Sequence, residues 1–393
     1  MNEMNQRSTD PEIGERLRMA REAANLTQSA AATIIDAART TVVAIEKGQR
    51  RIRTAELQKL ALAYGTSANA ILRRESVHLD MVPRFRKLPE SGDEAVERAT
   101  RLLNDLVKAE VELENALGVR RVRNYPPERP ILPGDVKLQA EQDAQELRAW
   151  LGLGPGPILD VVALLGSLGL RVFVRKLDSR ICGLFAYDES AGGCILLNGS
   201  HPKERLNQTA LHELAHFVST RNEPEVLAEN DRLISREDKY ANSFARSFLT
   251  PARAVKQLFT ETTAGQSHLT RRHIIIMAQA TGVSREAVVR RLEELDLVRA
   301  GTWDWFEANG GITNDQVKEV LGDMPDRWGN AGHTAGIVPS RLALLAREAW
   351  KRGIYSEGQL ARLLHVDRRD VRQVLDGAES EESEADDFVK LAR

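Results

Sequence analysis

The sequence predicts a mostly helical chain that carries one small β-sheet. Apolar side chains recur at helical spacing along most of the 393 residues. Only the stretch 170–198 alternates with a period of two, in short runs separated by turns. Proline-marked breaks near residues 82–92 and 119–134 divide the chain. We therefore expect an N-terminal all-α domain, an α+β domain and a C-terminal helical region.

The N-terminal part, residues 14–72, predicts several short helices. Thr27 is placed to cap a helix, Asp36 occupies the turn after it, and residues 39–46 form the next helix. Aspartate tolerates a left-handed backbone better than most residues, so a tight turn at Asp36 is feasible. Three motifs make this stretch resemble the XRE-type helix-turn-helix domains: Leu26-Thr27-Gln28, Ile45-Glu46-Lys47-Gly48, and Leu57 with Leu60-Ala61 and Tyr64-Gly65.

That resemblance implies DNA binding, with the second helix of the motif in the major groove. Residues 14–74 contain 11 Lys or Arg against 5 Asp or Glu, in a chain whose net charge is −2. Such a local excess suits phosphate contacts. The alternative is a helical module that binds protein instead of DNA. The expected DNA contacts are Gln28, Arg39, Thr40, Thr41, Lys47, Arg50 and Arg51.

Composition favours a cytoplasmic protein without a membrane partner. Apolar residues make up 42% and charged residues 28% of the chain, which is ordinary for soluble proteins. No apolar run approaches the length that spans a bilayer, and the N-terminus lacks the apolar core of a signal peptide. The two cysteines cannot form a disulfide framework.

The helix predicted over 93–117 is either a spacer or a dimerisation helix. Of the two, we favour dimerisation and therefore a homodimer.

Three period-two runs predict the strands of the sheet: 170–175, 182–187 and 194–198. An edge strand can bind an extended peptide through backbone hydrogen bonds. We expect 194–198 to be that edge, because it directly precedes the next helix. The alternative is an ordinary hairpin with no role in substrate binding.

A metal site is predicted from the motif His212-Glu213-Leu214-Ala215-His216. Histidines four residues apart lie on one face of a helix, so both imidazoles can bind one Zn²⁺. Glu213 is placed to take a proton from a water at the metal and to pass it to a leaving amine. By chance, such a motif would occur in roughly one chain in a hundred of this composition.

A catalytic zinc site needs a third protein ligand, with the fourth position open for water. The helix predicted over 235–249 offers two acids. Ser235 is a candidate N-cap with Asp238 three residues later, so Asp238 and the neighbouring Glu237 could simply stabilise the first turn. Spacing alone leaves both acids open as ligands.

Several ordered motifs resemble the ImmA/IrrE family of bacterial zinc metallopeptidases: Asn198, Arg205, LHELAHFV and DKYANSFARSFLTP. The resemblance extends over about residues 147–298. It implies that Asp238 is the third ligand, although the family usually has Glu there. Aspartate is one methylene shorter, so the second helix must lie closer to the metal, or Glu237 must serve. It also implies that the substrate is a transcriptional repressor, cut in a stress or mobile-element response.

We therefore predict four regions: a helix-turn-helix domain (1–75), a helical spacer with a Pro-rich linker (76–135), a zinc metallopeptidase domain (136–300) and a C-terminal helical region (301–393). Within them, residues 268–297 and 355–375 also resemble helix-turn-helix pairs. The family resemblance implies that the first pair packs beside the peptidase, where it is a candidate for holding substrate. We expect the second pair to serve as scaffold, with contacts to a partner or DNA as the alternative. The acidic stretch 376–387 predicts a disordered tail.

The sequence thus predicts a DNA-binding regulator that carries a zinc-dependent endopeptidase. One rival is a non-proteolytic transcription factor whose zincin-like domain senses a ligand or metal. Retention of Glu213 argues against it, because a degenerate site tends to lose its base. An antitoxin-like repressor is a further alternative, and it would require a toxin gene next door.

Overall fold

A computed structural model describes residues 10–24, 26–66, 68–72, 93–228, 235–264, 266–322 and 340–376. The described chain is mostly helical with one four-stranded sheet, which confirms the predicted fold class. It divides into two compact units, residues 1–78 with 111–120, and residues 79–110 with 121–393. Among the described helices, none has the length and apolar character needed to cross a membrane. The predicted acidic tail lies outside the described residues, apart from its first residue.

The first unit begins with five short helices: α1 (Asp10–Ala23), α2 (Gln28–Ile34), α3 (Arg39–Glu46), α4 (Thr54–Ala63) and α5 (Ala68–Leu72). Thr27 caps α2 as predicted, since its side chain accepts a hydrogen bond from the Ala30 amide. Asp36 adopts a φ of 53°, the left-handed conformation expected at the turn. Leu17, Val42 and Leu60 are buried in the small core that these helices share.

A long helix and two shorter ones precede the sheet: α6 (Glu94–Leu117), α7 (Val136–Trp150) and α8 (Val161–Ser167). The bounds of α6 confirm the helix predicted over 93–117. At its start, Asp93 accepts a hydrogen bond from the Ala95 amide at 2.8 Å. Asp135 and Asp160 cap α7 and α8 in the same way, so each of these helices starts at an acidic side chain.

The sheet contains β1 (Arg171–Arg175), β2 (Ile181–Asp188), β3 (Gly192–Asn198) and β4 (Glu225–Ala228), in the order β1-β3-β2-β4. β3 runs parallel to β1 and antiparallel to β2, while β4 pairs antiparallel with β2. The three predicted strands are therefore present. The short strand β4 was not predicted.

The prediction that 194–198 forms the edge of the sheet is wrong. Those residues belong to β3, which pairs with β1 on one side and β2 on the other. All seven residues of β3 are buried. The uninterrupted apolar run Cys-Ile-Leu-Leu is the pattern of a strand covered on both faces. The edges of the described sheet are β1 and β4.

Two helices follow β3 and carry the predicted metal site: α9 (Lys203–Ser219) and α10 (Arg236–Leu249). α9 packs against the sheet on one side and α10 on the other, and α10 packs in turn on α7. Tyr240, Phe244 and Phe248 of α10 are fully buried in the same core as Phe217 of α9. This burial from both sides fixes α9 firmly in the domain interior.

The remaining described helices are α11 (Ala252–Thr263), α12 (Arg271–Thr281), α13 (Arg285–Glu294), α14 (Thr302–Ala308), α15 (Asn314–Leu321), α16 (Ser340–Lys351), α17 (Glu357–Leu363) and α18 (Arg368–Asp376). Of the last three, α18 contacts both α16 and α17. Leu342, Leu360 and Val371, one from each, are completely buried. The described part of the C-terminal region is therefore helical, as predicted, and residues 340–376 form a group of three helices.

Candidate metal centre and nucleic-acid interface

The side chains of His212, Glu213 and His216 lie in the interior, each with 2% exposure or less. They are carried by α9, whose apolar neighbours Leu211, Leu214 and the residues around them pack against the sheet and the adjacent helices. Helical geometry places the two imidazoles one turn apart, with ring centres separated by 4.8 Å.

The structure brings His212, His216 and Asp238 together, with one ligand atom of each within 4.8 Å of the others. The two Nε2 atoms are 3.1 Å apart. Asp238 Oδ1 lies 3.9 Å from His212 Nε2 and 3.8 Å from His216 Nε2. One ion at about 2.0–2.2 Å from each atom can span all three separations. Two nitrogens and one carboxylate oxygen are also a usual donor set for zinc, so the residues fit this metal.

Both imidazoles are oriented by a neighbouring oxygen. His212 Nδ1 lies 3.1 Å from Asn242 Oδ1, and His216 Nδ1 lies 3.3 Å from Thr220 Oγ1. When each Nδ1–H donates to its oxygen, the lone pair of Nε2 points at the metal position. Thr220 was not foreseen as part of the site, although its place four residues after His216 is the spacing that could have revealed it.

Burial keeps the two histidines neutral. It lowers the pKa of His212, against the opposing influence of the Asp238 carboxylate. Burial and the neighbouring His212 lower the pKa of His216 to about 3. Neutral imidazole is the form that binds metal ions, so the site requires no deprotonation of histidine at neutral pH.

Asp238 is positioned for both roles that the sequence left open, the helix cap and the metal ligand. Its Oδ2 accepts hydrogen bonds from the amide of Ser235 at 3.1 Å and from its hydroxyl at 2.7 Å, which completes the predicted capping box. Its Oδ1 is the oxygen near the imidazoles. Glu237 does not belong to the group of potential ligands.

Glu213 lies where α9 meets β2, and Gly183 makes room for it there. A Cβ atom at Gly183 would lie 2.8 Å from Glu213 Oε1 and 2.7 Å from Thr209 Cγ2. Both contacts are far below ordinary van der Waals distances. Because Gly183 has no side chain, β2 can lie close to Glu213, the predicted base. No local pattern in the sequence indicated this role of Gly183.

The predicted DNA contacts fall into two groups. Arg39 and Thr40 are exposed at the first turn of α3, with Thr41 half-buried beside them, and Lys47 and Arg51 are exposed after the helix. These side chains lie on the surface, where a phosphate or a base edge could reach them.

Gln28 and Arg50 instead bind acidic residues of their own domain. Gln28 Nε2 donates to Glu46 Oε2 at 2.9 Å, and its Oε1 accepts a 3.4 Å hydrogen bond from Arg39. Arg50 makes a two-point ion pair with Glu56, at 2.8 and 3.1 Å. Both side chains therefore help to hold the motif together.

Comparison with known families gave two matches. The model described as IrrE N-terminal-like domain matches residues 165–293, and a helix-turn-helix domain model matches residues 12–73. No curated protein matches the chain significantly. The two matches support a DNA-binding regulator that carries a peptidase-like domain.

The solved structures that match include two of ComR, which one of them describes as a competence regulator. The crystal structure from Streptococcus suis has 10% identity and a TM-score of 0.16, with 96% of each chain covered. The apo form from Streptococcus vestibularis has 11% identity and a TM-score of 0.16, covering 95% of this chain and 99% of its own. Scores this low carry no structural argument. The family matches are more informative: a helix-turn-helix match precedes an IrrE N-terminal-like match, in the order that the motifs predict.

Proposed function

We propose that this chain is a DNA-binding regulator whose IrrE-like domain is a zinc-dependent endopeptidase. The observation that carries the proposal is the convergence of His212, His216 and Asp238 within 4.8 Å, with Glu213 directly after the first histidine. Two neutral imidazoles, one carboxylate and a neighbouring general base are the groups that metal-assisted peptide hydrolysis requires.

The proposed mechanism assigns each residue a separate task. His212, His216 and Asp238 would hold Zn²⁺, and Asn242 and Thr220 would keep the imidazoles in the binding orientation. Bound zinc supplies a Lewis acid that makes water a stronger nucleophile and stabilises negative charge on the peptide oxygen. The Glu213 carboxylate would accept the proton of the attacking water and deliver it to the leaving amine.

An extended peptide is the substrate form that the sheet supports. In the described part of the chain β4 pairs with β2 alone, so its other side could accept a backbone by strand addition. We propose that this peptide belongs to a transcriptional repressor. The helix-turn-helix domain would raise the local concentration of the peptidase at the operator. Both partners would place the chain in the cytoplasm.

We also propose the division into residues 1–75, 76–135, 136–300 and 301–393 as functional regions. The first would bind the operator through Arg39, Thr40, Thr41, Lys47 and Arg51. Homodimerisation and the inducing stress signal remain predictions at this point.

The test compares wild type with Glu213→Gln. Glu213 binds no metal in the proposed mechanism, so the variant should keep zinc and operator affinity. Loss of a general base typically slows a reaction by 10²–10⁴-fold. Purified protein would be incubated with repressors encoded by neighbouring genes, and cleavage followed by mass spectrometry. Glu204→Gln, an exposed acid at the start of the same helix, serves as the matched control and should cleave normally.

A promoter reporter under inducing stress separates the proposal from its rival. If a peptide bond must be cut, Glu213→Gln should lock the reporter in one state while DNA occupancy is unchanged. Normal induction in this variant would contradict the endopeptidase proposal and leave a metal-bearing transcription factor.

A further inference from the structure

The C-terminal helices α16, α17 and α18 repeat the arrangement of α1, α2 and α3. The residue numbers of the two groups differ by 329. This offset places α2 (Gln28–Ile34) on α17 (Glu357–Leu363), and it places Arg39, the first residue of α3, on Arg368, the first residue of α18. The same shift places α1, Asp10–Ala23, over α16, Ser340–Lys351. Three helices in one order, with one constant offset, indicate a common structural plan.

The turn between the second and third helices is the same in both groups. Asp36 has a φ of 53° and His365, its counterpart, a φ of 52°. In both turns this residue's N–H donates to the carbonyl three residues back, at 3.3 Å. The next N–H donates to the carbonyl five residues back, at 3.0 and 3.1 Å. The caps match too, since Ser356 accepts from a backbone amide three residues on, as Thr27 does.

Burial follows the same register. The pairs Ala32 and Ala361, Ile35 and Leu364, and Val42 and Val371 are all buried. The first two residues of the third helix are exposed in both groups: Arg39 and Thr40 in α3, and Arg368 and Arg369 in α18. Arg39 is a predicted DNA contact, and Arg368, its counterpart in α18, is therefore also an exposed arginine.

The pair α12 and α13 provides an internal contrast. Gly282, with a φ of 71°, again precedes the second helix by three residues. However, the arginines of α13 bind within the domain. Arg285 donates to the Ile312 carbonyl at 2.7 Å, Arg290 pairs with Asp304 at 2.7 Å, and Arg291 pairs with Glu141 at 2.6 Å. The arginines of this pair are therefore occupied by contacts within the domain.

The arginines at the start of α18 are not used in that way. Arg368 and Arg369 form no ion pair with any residue that the structure describes. Arg372, one turn later, pairs with Glu357 of α17 at 3.0 Å. Over the whole three-helix group, residues 340–376, there are 8 Lys or Arg against 5 Asp or Glu. The first turn of α18 thus exposes two arginines, with the acidic side chains of Asp367 and Asp370 beside them.

Contacts to the rest of the second unit anchor the turn that precedes α18. Arg175 of β1 donates to the Leu364 carbonyl at 3.5 Å. The group also approaches α6, where His365 Nε2 lies 3.7 Å from Asp105 Oδ2. The turn is therefore anchored to the domain, while the first residues of α18 face solvent.

We infer that residues 340–376 form a second helix-turn-helix that binds double-stranded DNA, with α18 as the helix that enters the major groove. Arg368 and Arg369 would contact phosphates or base edges from its first turn. This inference does not depend on peptidase activity, because it rests on a surface separate from the metal centre.

The test uses the full-length chain in a background of Arg39→Ala and Thr40→Ala, which weakens the contribution of the N-terminal motif. Arg368→Ala with Arg369→Ala is compared with Lys351→Ala and Arg352→Ala. The control pair removes the same charge from exposed positions at the end of α16 and just after it. Circular dichroism checks that every variant is folded, which is expected because all four side chains are exposed.

Affinity for a fluorescein-labelled random-sequence DNA duplex of about 40 bp, long enough for several half-sites, is measured by anisotropy at several salt concentrations. Two lost phosphate contacts should reduce the slope of log affinity against log salt by about 2. The control pair should leave the slope near that of the background. Equal slopes for the two double variants would overturn the inference. So would an equal loss on single-stranded RNA of the same length, which would indicate charge attraction without duplex recognition.

Discussion

The Nε2 atoms of His212 and His216 lie 3.1 Å apart, whereas their Nδ1 atoms face different oxygens, those of Asn242 and Thr220. With both Nδ1–H groups donating, two nitrogen lone pairs point at each other across this short distance. Lone pairs repel unless a cation or a proton lies between them, and burial disfavours the proton. The arrangement therefore favours a metal cation.

Replacing either histidine should remove the metal. We expect one Zn²⁺ per chain in wild type and a large loss of occupancy in His212→Ala and His216→Ala, because only two donors would then remain. Elemental analysis of the purified proteins measures this. His268 is exposed and outside the site, so His268→Ala should keep full occupancy. Wild type that carries no metal after careful purification would contradict the enzyme proposal.

The third ligand can be separated from the helix cap by three variants. Asp238→Ala should lower zinc occupancy and also destabilise α10, because the residue supplies both Oδ1 and the capping oxygen. Ser235→Ala should cost about 1 kcal/mol in the free energy of unfolding, typical for a lost N-cap, and should leave zinc in place. Glu237→Ala should change zinc occupancy little. The opposite ranking of the two acids would assign the ligand to Glu237.

The metal-free protein should lose stability as the pH falls below about 6.5. Burial lowers the pKa of His216 to about 3, from a usual value near 6.5 in the unfolded chain. Between these values the unfolded state binds the extra proton, so the free energy of unfolding rises with pH across this window. Urea titrations of chelator-treated protein from pH 4 to pH 7 measure the slope. His216→Gln should reduce this slope, with the contribution of His212 remaining, while His268→Gln should leave the slope unchanged.

DNA binding by the N-terminal domain should depend more on Arg39, which is exposed, than on Arg50, which is paired with Glu56. Arg39→Ala should weaken specific binding more than binding to random duplex, because its position suits base contacts. Arg50 is held by Glu56, so the effect of Arg50→Ala on DNA affinity should be smaller and should appear partly as lower stability. Anisotropy titrations and thermal melts of the full chain distinguish these effects. A larger affinity loss for Arg50→Ala would reverse the assignment.

Features set by near neighbours in the sequence were predictable. The two histidines need only the four-residue spacing of a helix, and the caps at Thr27 and Ser235 need only the next turn. The left-handed Asp36 follows from turn chemistry in the same way. Each of these depends on interactions across a few residues, which a sequence pattern records directly.

Features set by distant contacts were not predictable. β3 was expected at the edge of the sheet because it precedes α9, but its parallel pairing with β1 places it inside. β4 has four residues, too few for a period-two pattern to stand out. Gly183 matters through its distance to Glu213, which belongs to another element. Such relationships arise from packing and leave no local signal.

If Asp238 binds the metal through Oδ1 while its Oδ2 caps α10, the order of the first turn of α10 should depend on the metal. Asp238 Oδ1 would bind the ion beside the imidazoles, and the same carboxylate would then be held in the position where Oδ2 caps the helix. Ligand binding and helix initiation then reinforce each other, so each is more favourable when the other is present. Chelation should therefore speed amide hydrogen exchange in the first turn of α10. In addition to its proposed catalytic role, the metal would therefore stabilise the first turn of α10.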